Sequence, residues 1–265
     1  MALSITTIIL TGNEEKNIAA AIRSAAQISE RILVIDSGST DSTAALAEQH
    51  GAEVFFHEWP GHAAQFNWAL DHCNIQTQWV FRLDADERIS PELAEEIRRR
   101  IDQTDAAGFE MRWRVYFMKK WIRHAGTHKP YFLRLFRYGA GRCEGEMDER
   151  IAVNGRVERL EGDLIHYDYK GLDEWLQKHI GYSNRELLLL DRLHNEGNPV
   201  TAQQKKRSLY YRLPLFLRAR LYFWYRYYFQ LGFLDGYEGK IFIYLQAYWY
   251  RFLVDAKIYE REHGT

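Results

Sequence analysis

Four short apolar runs punctuate the first third of the chain: Ile5–Leu10, Arg31–Asp36, Ala52–His57 and Trp79–Leu83. Each is rich in β-branched or aromatic residues and ends at a polar turn, the pattern of a strand buried on both faces. Between them apolar positions recur at helical spacing, over Glu15 to about Ala26, from a cap at Asp41 through His50, and over Ala63–Cys73. Ser90-Pro91-Glu92 joins a capping hydroxyl to a proline at the first helical position, predicting a helix that runs to about Ile101. Strands alternating with helices over short links predict an α/β fold, a mostly parallel sheet flanked by helices. From Gly108 to Asp168 the segments are strand-like, aromatic and charged, and from Leu172 onward helical, over Leu172–His194 and roughly Ala202–Arg212. The expected organisation is a catalytic α/β domain over residues 1–170 and a helical, aromatic-rich C-terminal region over residues 171–265.

In open α/β sheets ligands sit beyond the carboxyl ends of the strands. Three polar clusters fall there, Thr11–Glu14, Asp36–Asp41 and Asp84–Glu87, and they are expected to converge on one cleft. In Asp84-Ala85-Asp86, two carboxylates one residue apart can hold Mg²⁺ or Mn²⁺ against a diphosphate. The plain alternative is a solvated strand end. Asp36 can accept from a base or ribose, while the Ser37–Asp41 stretch also suits a tight turn and helix cap. The Glu144–Arg150 segment is dense in acids, so it is either a source of a general base or an exposed acidic turn. His124 and His128 are spaced i,i+4 without the glutamate of a zinc-protease motif, which favours a loop pair. No phosphate-binding P-loop, G-x-G-x-x-G or G-x-S-x-G motif is present, which disfavours ATPases, dinucleotide enzymes and serine hydrolases.

Charge and composition narrow the partners. The 265 residues carry 35 Lys+Arg and 36 Asp+Glu, a formal net charge of -1, which gives nucleic-acid binding no electrostatic support. Aromatics make up 15% of the chain, and 19 of the 39 lie between Tyr210 and Tyr259, with seven basic residues against three acids. Tyr, Trp, Arg and Lys suit the headgroup level of an anionic bilayer. Packing against the catalytic domain or within a homo-oligomer is the alternative. Arg212, Arg218, Arg220 and Arg226 spread over more than half of a helical circumference, and Pro214 interrupts them. Cys73 and Cys143 have no metal-binding or disulfide-framework spacing, as in a reducing cytosol. The first residues lack the basic and apolar regions of a signal peptide. The uncharged stretch Ile241–Tyr250 is half of the roughly 20 residues a spanning helix needs, so a cytoplasmic protein, peripheral on the inner face of the membrane, is expected.

The segments Ile8–Glu15, Leu33–Asp41, Gln65–Leu70, Leu83–Glu87 and Leu231–Gly236, taken in order, resemble family 2 glycosyltransferases, closest to short bacterial enzymes that glycosylate the lipopolysaccharide inner core. That resemblance implies a GT-A fold, a nucleotide-sugar donor and inversion at the anomeric carbon. By position it implies that Thr11, Asn13, Glu14 and Asp36 line a uridine site, with Gln65 and Asn67 near the nucleotide or sugar. It also implies that Asp84 meets ribose or metal, that Asp86 binds the metal, and that His166 is a further metal or phosphate contact. The family's base lies in a Val-His-Glu-like segment, which here reads Met147-Asp148-Glu149, making Glu149 the candidate base and Glu146 and Asp148 its rivals. Arg134, in a region resembling the acceptor side, is expected to pair with a phosphate or with an acid such as Glu144. The expected reaction moves a sugar, with glucose as the family-level choice, from a UDP-sugar to a lipid-linked or lipopolysaccharide-core acceptor. Capsule or exopolysaccharide synthesis with another nucleotide sugar, a sugar-phosphate nucleotidyltransferase, and a non-enzymatic membrane-surface scaffold with a vestigial nucleotide site are the alternatives.

Overall fold

The computed structural model describes residues 3–128, 130–145, 149–195 and 202–264. The apolar runs become β1 (Leu3–Thr11), β2 (Ser29–Asp36), β3 (Glu53–Phe56) and β4 (Trp79–Asp84), paired in parallel in the order β3-β2-β1-β4. Three helices pack between them: α1 (Ile18–Ala25), α2 (Thr43–Gln49) and α3 (His62–His72). A two-residue turn after β4 leads to β5 (Glu87–Ile89), and α4 (Pro91–Arg100) starts at Ser90, whose hydroxyl accepts the Leu93 N–H.

The rest of the sheet is of mixed direction. After β6 (Gly108–Phe117) and the two-residue β7 (Lys120–Trp121) come β8 (Tyr131–Arg137), β9 (Gly141–Glu144), β10 (Arg150–Val153) and β11 (Val157–His166). The order continues β4-β8-β6-β11-β5, with β8 antiparallel to both its neighbours, β6 parallel to β11, and β5 antiparallel to β11. The strands β9 and β10 form a separate hairpin.

Successive strand residues point to opposite faces, which divides the core in two. Ile5 and Ile9 pack with α1 and α4 on one face, while Ile8 and Leu10 pack with Phe66, Ala69 and Leu70 of α3 on the other. Both faces of β1 and β2 are buried. Their sequences therefore read as apolar runs and not as alternation.

The chain divides into two compact units. One comprises Met1–Tyr116 and His128–Tyr169, and the other Phe117–Thr127 and Lys170–Thr265. The short segment Phe117–Thr127, inside the expected first domain, thus groups with the C-terminal region. That second unit holds α5 (Leu172–Asn195), α6 (Ala202–Tyr211), α7 (Leu217–Trp224), α8 (Gly236–Ile243) and α9 (Tyr250–His263). Pro214 lies in the break between α6 and α7. π-Helical turns at Tyr225–Phe229 and Tyr244–Trp249 extend α7 and fuse α8 to α9. Among the described residues no helix is long and apolar enough to cross a membrane.

Of the four arginines expected around one helical surface, the structure buries two. Arg218 is 3% exposed and grips Asp255, and Arg226 is 7% exposed, donating to the Ala125 carbonyl and to Gln246. A guanidinium so enclosed cannot reach a lipid phosphate. Only Arg212 and Arg220 remain on the outside.

Within the same unit the Leu231–Gly236 motif acquires a structural reason. Leu231 is left-handed at φ 57 and Gly236 at φ 70, and the buried Asp235 carboxylate accepts the Arg123 and His124 N–H groups and contacts His124 Nδ1 at 2.8 Å. A side chain on Gly232 would lie 2.9 Å from the Arg226 carbonyl oxygen, so only glycine fits that corner.

Candidate active site

The register that builds the sheet also assembles the site. Thr11 ends β1 opposite Asp36 at the end of β2, and Leu10 pairs with Asp84 at the end of β4. The three polar strand ends are therefore neighbours, as the topology predicts, and hydrogen bonds knit them together. Ser37 donates its N–H and hydroxyl to the Thr11 carbonyl at 3.0 and 2.9 Å. Asn13, left-handed at φ 55, donates its N–H to Ser39 Oγ and accepts the Thr40 N–H, both at 2.8 Å. The Glu14 N–H reaches Thr43 Oγ1 at 2.7 Å.

Asn17, fully buried, ties the first loop to two others. Its amide donates to Glu14 and Asp168 at 2.8 Å each, and its oxygen accepts the Tyr169 N–H at 2.9 Å. Arg88 reaches the same oxygen at 3.4 Å and donates to the carbonyls of Ala85 and Glu87, fixing the turn that carries Asp86. Neither residue stands out in the sequence, because an asparagine immediately before a helix reads as an ordinary cap.

The expected nucleotide residues divide by what occupies them. Thr11 is buried, and its Oγ1 has no hydrogen-bond partner among the described residues. Asp36 serves its own turn, accepting the N–H groups of Gly38 and Ser39 at 3.0 and 2.8 Å and the Ser39 hydroxyl at 2.5 Å. Gln65 donates to the His57 carbonyl and meets its ring nitrogen at 2.6 Å, holding His57 stacked on Trp68. Asn67 makes a two-way bond with the Cys143 backbone at 2.9 and 3.0 Å, which docks the β9 strand on α3. Both cysteines are free and buried.

The acids after β4 sit in a buried charge network. Arg134 bonds Asp84 at 2.9 Å and Glu87 at 2.7 Å; it does not pair with Glu144, which instead lies 3.9 Å from Arg150. Glu87 is fully buried and also accepts the Trp113 indole at 2.5 Å and the Asp84 N–H at 2.9 Å. Burial pushes the Glu87 carboxyl up to about 7, with Arg134 pulling the other way and Asp84 adding to the rise. Burial also raises Asp84, but Arg134 and then Arg82 outweigh it and hold the carboxyl below its ordinary range. Burial works against the charge on Arg134, and its two carboxylate partners more than restore it.

Asp86 belongs to a different neighbourhood. Its carboxylate lies 3.5 Å from His166 Nε2, because β11 pairs His166 with Glu87 and the Tyr167 N–H bonds the Asp86 carbonyl at 2.9 Å. Of the three expected metal ligands the structure joins Asp86 and His166, while Asp84 faces the arginines. Among the described residues no three His, Cys, Asp or Glu side chains form a complete metal site. A buried carboxylate beside an imidazole fits a divalent cation that takes its remaining ligands from elsewhere.

Arg82 completes the arrangement. It is 3% exposed and lies on β4 two residues before Asp84, on the same face of the strand. It reaches Asp84 at 3.7 Å, Glu149 at 3.3 Å and Cys143 Sγ at 3.3 Å, with its guanidinium over the Phe66 ring. Glu149 thus stands beside the strand-end acids, with His62 at 3.8 Å. Its Oε2 is buried without a hydrogen-bond partner among the described residues. Its sequence rivals, Glu146 and Asp148, lie outside the described residues. The signal for Arg82 was available: a charge inside Trp79-Val80-Phe81-Arg82-Leu83 has no place in a core strand unless an acid meets it.

His124 and His128 do not act as a pair. The first contacts Asp235 in the second unit, and the second lies 2.9 Å from Asp163 in the first.

Comparison with known proteins is consistent with this geometry. The model of glycosyl transferase family 2 matches residues 6–151, which contain every expected nucleotide-site residue, Asp86 and Glu149. The lipopolysaccharide core biosynthesis glycosyltransferase LpsC of Rhizobium meliloti is 31% identical over 98% of this chain and 93% of its own. An uncharacterized glycosyltransferase of Rickettsia typhi is 30% identical over 97% of this chain and 87% of its own. Among solved structures, S. aureus TarS aligns over 63% of this chain and 37% of its own, at 14% identity and a TM-score of 0.45. The chain spans less than half the length of the solved chains it matches, between 35 and 44% for the first of them. With strand-end acids, buried arginines and a family match that covers more than half of the chain, including the strand-end acids and Glu149, the chain belongs to the family 2 glycosyltransferases.

Proposed function

We propose that this glycosyltransferase moves a sugar from a UDP-sugar donor, glucose being the first choice, to a saccharide of the lipopolysaccharide core or a related lipid-linked acceptor. The likeness to LpsC along almost the whole chain supports the core acceptor. A nucleotide-sugar donor made in the cytoplasm puts the reaction on the cytoplasmic side of the membrane.

The observation that carries the mechanism is the divided environment of Glu149. One of its oxygens is oriented by Arg82, which also contacts Asp84, and the other is buried with no hydrogen-bond partner among the described residues. As the general base, that second oxygen takes the proton. In a single displacement, it removes the acceptor hydroxyl proton, the acceptor oxygen bonds to the anomeric carbon, and the bond from that carbon to the diphosphate breaks, releasing UDP. Inversion follows from attack opposite the leaving group.

Asp86 and His166 are the residues that would hold a divalent cation, with the Asp84 carboxyl held below its ordinary range nearby. Mg²⁺ or Mn²⁺ bound there would supply charge neutralisation for the departing diphosphate. Asp84 and Thr11, whose hydroxyl has no hydrogen-bond partner among the described residues, stand closest to the expected nucleoside position, and Asn13 and Asp36 fix the adjoining loop.

Replacing Glu149 by Gln keeps its shape and removes its basicity. The expected result is a fall in turnover of about 10²–10⁴-fold with donor binding retained. Near-normal turnover in that variant, with activity lost in Asp86→Ala, would assign the base elsewhere.

A further inference from the structure

The second unit carries an apolar surface that its own packing leaves uncovered. Along α7 and its π-helical extension, Leu217, Leu221, Trp224 and Tyr228 fall at i, i+4, i+7 and i+11, and all four are exposed. Along α8 and the turn after it, Tyr237, Ile241 and Tyr244 repeat the spacing, also exposed. The corner between the helices adds Phe229, Phe233 and Leu234, and Phe229 and Tyr237 are 81% and 82% exposed.

Ring contacts make these stripes one surface. Trp224 meets Tyr228 at 5.2 Å, Tyr228 meets Tyr227 at 5.0 Å, and Tyr227 meets Phe233 at 6.2 Å. From Tyr227 the contacts run back through Phe223 to Tyr244 at 5.4 and 6.3 Å. Contiguous exposed apolar surface on this scale marks a partner.

The charges around it select which partner. The acids between Arg212 and Tyr244 are Asp235, buried under His124, and Glu238, paired with Lys120 at 3.2 Å. Arg212, Arg220 and Lys240 are exposed. The rim therefore offers positive charge, with its acids already engaged. A second copy docked face to face would set these bases against their own counterparts. An anionic bilayer meets them with phosphates, and the Tyr and Trp rings with their amphipathic edges suit its headgroup layer.

We infer that this aromatic corner, residues 212–244, is the surface on which the protein lies against anionic lipid, with its rings at headgroup depth and Arg212, Arg220 and Lys240 on phosphates. The burial of Arg218 and Arg226 sharpens the assignment, because it removes two bases that the sequence alone offers to the membrane. The contact is independent of the identity of donor or acceptor.

The test is sedimentation of the full chain with phosphatidylglycerol–phosphatidylcholine vesicles at low and high salt, beside the double variant Phe229→Asp with Tyr237→Asp. Both side chains lie in solvent, so the melting temperature, not turnover, serves as the fold control. The expected result is binding at low salt that weakens at high salt and on pure phosphatidylcholine, and that falls about tenfold or more in the variant at unchanged melting temperature. Absence of wild-type binding to anionic vesicles, or equal binding by the variant, overturns the inference. So does a wild-type dimer in sedimentation velocity that the variant dissociates, since the surface would then belong to a second copy.

Discussion

Arg134 is the residue on which the strand-end acids most depend. It is almost wholly buried and answers two carboxylates, one of them fully enclosed. Removing one partner of such a network leaves an uncompensated buried charge, which costs more than the pair contributes. Arg134→Ala is expected to lose about 3–5 kcal/mol of folding stability, read from denaturant midpoints; a loss under about 1 kcal/mol would mean that Glu87 is neutral and needs no partner. The candidate residues were legible in the sequence because strand-end acids follow recognisable apolar runs. Their partners were not. That Asn67 binds the Cys143 backbone, or that Arg134 meets Asp84 and Glu87 in place of Glu144, depends on which strands become neighbours. The β4–β8 pairing that brings Arg134 there joins segments about fifty residues apart.

Elements differ in how openly the sequence declares them. The strands β1, β2 and β4 lie at the expected places because burial on both faces produces continuous apolar runs. Ser90 caps α4 as its Ser-Pro pattern predicts. The π-helical turns in the aromatic segments carry no comparable pattern, since one extra residue per turn shifts the periodicity without a marker residue. The glycine corner before α8 gives a direct check. Gly232→Ala would press a methyl group against Ile243 and the Arg226 carbonyl, and a loss of about 1–3 kcal/mol is expected by thermal melting; an unchanged melting temperature would contradict the packing described.

Within α5, His179 gives a pH prediction. Burial pulls its pKa down to about 4, against the opposing hydrogen bond to the Trp175 carbonyl. A histidine that folding makes harder to protonate stabilises the fold above its unfolded pKa, about 6.5. That contribution falls away as pH drops from about 6.5 to about 4. His179→Phe is expected to flatten the acid limb of a stability–pH curve over that window, and an unchanged slope would place the proton uptake on another group.

For the whole molecule, a formal net charge of -1 conceals two unlike units. The sheet unit binds its arginines to acids around the strand ends, and the helical unit buries Arg218 and Arg226 while leaving an aromatic corner in solvent. The aromatic excess was plain in the composition. Which arginines faced outward was not, because a helix presents every side of itself in sequence and packing chooses among them. The central claim is that the strand-end site transfers a sugar from a UDP donor. It is tested most directly by UDP release from a panel of nucleotide sugars with Mn²⁺ and a core-saccharide acceptor, for the wild type and Asp86→Ala. The expected result is acceptor-dependent UDP release, selective for a UDP-sugar and abolished by the substitution. A clear preference for a non-uridine donor, or pyrophosphate in place of UDP, would contradict it.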